Sequence, residues 1–118
     1  MFPEFAALLF AARDFGHRAH LRTAKHSQHM ALEIFYTELT ELTDSLIECY
    51  QGAQGVVDLP YLKTPTPGED ATDEIQRYSE LVQGTRQEAL GISRALNAIG
   101  DEIEELFLRT TYRLKQLA

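Results

Sequence analysis

The sequence predicts an all-α protein, a four-helix bundle made of two antiparallel helix hairpins joined by a long Pro/Gly loop. Apolar residues recur at three- and four-residue spacing through both halves of the chain. A stretch rich in Gly and Pro divides those halves. At 118 residues and 13.4 kDa there is room for one core, so residues 1–118 form a single domain.

The first helix is placed at about residues 4–23. Phe2, Ala6, Leu9, Phe10, Arg13, His17, His20 and Leu21 fall on one stripe, and Pro3 suits a first turn. The second spans about 27–51, with Leu32, Phe35, Leu39, Leu42 and Leu46 as its apolar face and Gly52 as its stop. Residues 52–68 carry Gly55, Pro60, Pro65, Pro67 and Gly68 and read as a loop. That is long for a compact domain, and it is the connection a bundle needs to cross from one hairpin to the other. From Asp70 onward Ile75, Tyr78, Val82, Thr85, Ala89, Ile92, Leu96, Ile99, Ile103, Leu106, Leu114 and Leu117 lie near heptad spacing. One helix of that length leaves the bundle open, so a break is required. Gly84-Thr85, with Thr85 and Glu88 as a capping box, competes with Gly91-Ile92-Ser93. The second divides the segment into helices matching the first two, giving about 69–90 and 93–117.

Charge and composition narrow the function. Hydrophobic residues make up 44% and charged residues 25%, as in ordinary globular proteins. The net charge is −7, the pI is near 5.0 and the Lys and Arg are scattered. That disfavours DNA binding by the isolated chain and favours cations as partners. No apolar run reaches the roughly 18 residues of a membrane span. Phe2–Phe10 contains Glu4 and runs into Arg13-Asp14, so it reads as a core helix rather than a signal peptide. Cys49 is the single cysteine, a small hydrophobe at a helix end, and points to a reducing, cytoplasmic setting.

The chemistry is concentrated in the first two helices. All four histidines fall between His17 and His29. His29 and Glu33 are four apart and share one helix face, and Asp44 and Glu48 repeat that spacing. A short turn makes the two helices antiparallel neighbours, so His17 and His20 face the start of the second helix near His29 and Glu33. Imidazole nitrogen with carboxylate oxygen suits iron, manganese or zinc. Glu33 and Asp44 lie about 16 Å apart along the helix, so one chain cannot bring both to one ion. A two-fold related copy can, with His29 and Glu33 of one chain meeting Asp44 and Glu48 of the other. By contrast His26 reads as an exposed turn residue, Glu38 and Glu41 as a solvated face, and Asp101, Glu102, Glu104 and Glu105 as an acidic surface cluster. Tyr36, one turn beyond Glu33, reads as a packed tyrosine with a polar tip.

The pattern His17-x11-His29-x3-Glu33-x10-Asp44-x3-Glu48 resembles the ferroxidase site of the Dps family, the miniature ferritins. His17 and His29 match that family's histidines, Glu33 stands where it usually has Asp, and Asp44 and Glu48 match its Asp-x3-Glu pair. The runs His29–Tyr36 and Asp44–Gly52 look like short Dps-like proteins of tailed bacteriophages, as do Asp101–Ile103 and Thr111–Lys115. The resemblance implies a ferritin-like bundle and an iron site, with Mn or Zn as alternatives. Its ligands are His17, His29, Glu33, Asp44 and Glu48, with His20 as the alternative to His17. It also implies Fe(II) oxidation by peroxide or dioxygen, a homodimer or larger cage, and the cytoplasm of a bacterium or a phage-infected host. The alternative is a non-catalytic phage accessory or structural protein that uses metal only for assembly.

Overall fold

Two of the four helices start on a capping side chain, and two stop at a glycine. The computed structural model describes residues 1–63 and 66–117. It places α1 at Phe2–Arg22, α2 at His26–Gln54, α3 at Ala71–Leu90 and α4 at Arg94–Gln116, and the described residues contain no strand. Pro3 and Glu4 occupy the first turn of α1, where a missing N–H is harmless and a negative charge meets the positive helix end. The Asp70 carboxylate accepts from the Asp73 backbone N–H at 2.9 Å, and the Ser93 hydroxyl accepts from Leu96 N–H at 3.2 Å.

Helices α2 and α3 end at glycines whose backbone needs positive φ: Gly55 at 84° and Gly91 at 59°. The break therefore lies at Gly91–Ser93. Gly84 is inside α3, and Thr85 donates its hydroxyl to Leu81 O at 2.6 Å instead of capping a new helix. Gly52 likewise lies within α2, which runs on to Gln54. A helical glycine costs only about 1 kcal/mol, which the packing of a long helix offsets. Pro65, part of the expected loop, lies outside the described residues, and α4 closes at Gln116 rather than 117.

The helix directions follow from the pairs they form. Phe2 stacks on Tyr50, with centroids 3.8 Å apart and planes at 3°, while Gly16 meets Phe35, so α1 and α2 are antiparallel. The Met1 amino group sits 3.2 Å from Glu88 and Phe15 packs on Tyr78, so α1 and α3 are antiparallel too. Phe35 meets Phe107 edge-on at 5.1 Å, and Arg86 reaches Asp101 at 2.9 Å, which sets α4 against both α2 and α3. Hence α2 and α3 run the same way on a diagonal, and the chain crosses the bundle between Gln54 and Ala71. The order is up, down, down, up, with one crossover.

The core between these faces holds Phe5, Leu9, Leu32, Phe35, Leu39, Leu46, Ile75, Tyr78, Val82, Ile103, Leu106 and Phe107, all with almost no exposed surface. Ile92 and Leu117 face solvent, contrary to the heptad pattern, because Ile92 lies in the break after Gly91 and Leu117 follows the last turn of α4; Thr85 is exposed within α3. In α1 the buried arc includes Phe5, Ala12, Phe15 and Gly16, since two neighbouring helices cover it. His17 and Leu21 are left outside. Cys49 is half-buried against the core.

Candidate metal centre

The α1–α2 seam brings the imidazoles together. The turn 23–25 holds the end of α1 against the first turn of α2, and Gly16 lets the helices close up. A Cβ there would stand 2.6 Å from Phe35 Cδ2. On that seam the His20 and His29 rings stack with centroids 3.7 Å apart. His20 Nδ1 donates to His29 O at 2.7 Å, and His29 Nδ1 donates to His20 O at 2.9 Å. A carbonyl oxygen only accepts, so in each ring Nδ1 bears the proton, and in the neutral ring Nε2 keeps a lone pair for a metal. The ring of His17 lies over Tyr36, at 4.3 Å and 16°, and 6.4 Å from the ring of His20.

Sequence reasoning placed these groups unevenly. His20, an alternative ligand, is buried with 6% of its surface exposed, while His17 is exposed and His29 half-buried. Glu33, Asp44 and Glu48 are all exposed on the outward side of α2, and none makes a hydrogen bond or ion pair among the described residues. Met30 and Ile34 are exposed beside them, at 43% and 37%. Among the described residues no three His, Cys, Asp or Glu side chains cluster closely enough to hold a metal ion. Thus His17, His29 and Glu33 do not converge within one chain. His17 is held on Tyr36, and Glu33 stands out into solvent. The donor chemistry still fits iron, manganese or zinc: two exposed or half-buried imidazoles, one with Nε2 left free, and three unpaired carboxylates. His26 opens α2 and is exposed.

Three features escaped sequence reasoning. Tyr36 is an aromatic platform between His17 and His20, 5.3 Å from the latter, rather than a tyrosine merely packed by its body. Glu38, Glu41, Glu102 and Glu105 line a groove between α2 and α4 with Arg109, which lies 4.0 Å from Glu38 and 3.4 Å from Glu105. Asp101 and Glu104 are not idle surface: they bind Arg86, which is 13% exposed and also donates to Asn97 O and Asn97 Oδ1. Spacing gives no warning of that network, because its members lie on two helices. The His20–His29 pair had a signal, two histidines flanking a short interhelical turn.

The seam and topology together define an all-α four-helix protein with a histidine and carboxylate face on its first hairpin. Residues 20–114 match a family of unknown function, DUF5856, and the chain belongs to that family. It is 27% identical over 111 residues to the "Uncharacterized 14.6 kDa protein in mobD-ri intergenic region" of Enterobacteria phage T4. That alignment takes in 94% of this chain and 85% of the phage protein. No solved structure matches it significantly. No helix among the described residues is long and apolar enough to cross a membrane.

Proposed function

We propose that this protein is a Dps/ferritin-like metal-binding protein that binds and oxidises Fe(II) at a site completed across a two-fold dimer interface. The observation that carries the reading is the unpartnered set Glu33, Asp44 and Glu48, spread along the outward face of α2 beside the His17 and His29 seam. An up, down, down, up bundle with one long crossover is also the ferritin-like arrangement. An isologous two-fold contact lets one patch meet itself, so two chains would build two equal sites. Each would take His29 and Glu33 from one chain, with His17 swinging off the Tyr36 ring to join them, and Asp44 and Glu48 from the other. His20 supports from behind.

Ferrous iron is the substrate. Carboxylates and imidazoles hold it, and two ferrous ions give one electron each to hydrogen peroxide, which takes two protons and leaves as water. Acidic faces brought together repel until cations neutralise them, so metal should tighten the dimer. Exposed Met30 and Ile34 supply apolar area for that contact. We place the protein in the cytoplasm of a bacterium or a phage-infected host, acting on metal ions without binding DNA by itself.

The test adds Fe(II) anaerobically and then peroxide or dioxygen. Ferric absorbance should grow faster with the native chain than with a Glu33→Ala/Glu48→Ala variant. Equal rates remove the reading. A second reading, metal used for assembly alone, is favoured by the absence of a three-ligand cluster within one chain among the described residues. It predicts Zn2+ or Mn2+ binding and a chelator-sensitive dimer with no turnover.

A further inference from the structure

We infer that His20 is a positioning residue, which with the end of α1 fixes the tautomer and plane of His29 before any metal arrives. The inference rests on the proposed metal site and assigns a device within it. The carbonyls at the end of a helix lack in-helix N–H partners. Thr23 N–H satisfies Ala19 O, at 3.0 Å, and leaves His20 O to be met otherwise. His29 Nδ1–H meets it at 2.9 Å, so the imidazole of α2 caps α1. His20 returns the contact, donating Nδ1–H to His29 O at 2.7 Å, and lays its ring on the ring of His29 at 3.7 Å.

This arrangement is reciprocal and closed. Each ring donates to the backbone of the other residue, and each ring covers the other's face. His29 then has one tautomer available, with Nε2 unprotonated, and little freedom to rotate. A ligating imidazole commonly donates its other ring N–H to a carbonyl or carboxylate, which fixes its orientation and raises its basicity. His29 has that partner already, supplied by a helix end. Burial of His20 suits a support and not a ligand, since the exposed carboxylates of α2 lie on the outward face.

The first test uses the full metal-free chain with 15N-labelled histidine. Ring 1H–15N correlations tell which nitrogen holds the proton. Nδ1–H on both His20 and His29 is expected, and Nε2–H on His29 overturns the inference. The second arm titrates Zn2+, a redox-inert probe, into the native chain, His20→Leu and His20→Asn, each checked for helix content. His20→Leu should bind about tenfold more weakly or worse. In His20→Asn the amide nitrogen stands where Nδ1 was, so most of that loss should be recovered. Native affinity in a folded His20→Leu overturns the positioning role, and so does an equal loss in both variants, which would make His20 a ligand. A native chain that keeps Nδ1–H on His29 but takes up no Zn2+ overturns the metal reading and the purpose of the pair, while its geometry stands.

Discussion

Mixing two inactive variants tests whether the site spans two chains. In a two-fold dimer, Glu33→Ala removes one ligand from each site, and Glu48→Ala removes a different ligand from each. Glu33 and Glu48 are separated by about 22 Å of helix, so neither substitution reaches the other's position within one chain. In a mixed dimer, both lesions fall in the same site. The other site receives Glu33 from the Glu48→Ala chain and Glu48 from the Glu33→Ala chain, and is intact. Unfolding and refolding an equal mixture gives about half mixed dimers, hence about a quarter of all sites restored. The assay is the rate of ferric absorbance per chain, or Zn2+ stoichiometry. Each variant alone should give background and the mixture about a quarter of the native signal. A mixture no better than its parents, with mixed dimers confirmed by mass, refutes a shared site.

Gly16→Ala should lower stability by about 1–2 kcal/mol in denaturant unfolding. Overpacking costs roughly 1–3 kcal/mol, helix propensity returns up to about 1, and Phe35 at 0% exposure has nowhere to retreat. A stability at or above native would show that α1 and α2 are not in tight contact there. Arg86→Met should cost about 2–3 kcal/mol, because it removes charge-assisted bonds to Asp101, Glu104 and Asn97. The loss stays at that level because Asp101 is exposed and can rehydrate; a change under about 0.5 kcal/mol would show the network to be idle. Burial pushes the Tyr78 phenol above its usual range, against the opposing pull of the Arg77 guanidinium 4.7 Å from its ring. The unfolded chain therefore releases that proton first, and stability present below about pH 10 should be lost as pH rises further. Tyr78→Phe should flatten that alkaline decline, and an unchanged slope in pH-dependent unfolding would assign the decline to other groups.

Much of the bundle is legible in the residues because its signals are local. Gly91 at positive φ, Ser93 as a cap and the apolar spacing of Leu32, Phe35, Leu39 and Leu46 each act within a turn or two. What misleads is also local information carried too far. Gly52 and Gly84 look like stops, yet neither needs a glycine-only conformation, so tertiary packing keeps them helical. The heptad count continues through Gly91 and assigns Ile92 and Leu117 to the interior, although Ile92 lies in the break itself and Leu117 follows the last turn of α4. Among the candidate ligands, the four-residue spacings identify a shared α2 face. Spacing is silent on how α1 meets that face, and so it cannot separate buried His20 from exposed His17. Arg86 shows the same limit, because its partners belong to the next helix.

All the candidate ligands lie in the N-terminal hairpin and none in the C-terminal one. On the proposed reading the second hairpin is a buttress: its sequence could drift while the candidate ligands keep their places, so long as Tyr78, Phe107 and their neighbours still fill the shared interior. The link between α2 and α3 joins two halves, each closed by its own short turn. Cutting the backbone within that link should leave two fragments that remain docked, with the histidine and carboxylate face whole on the N-terminal piece.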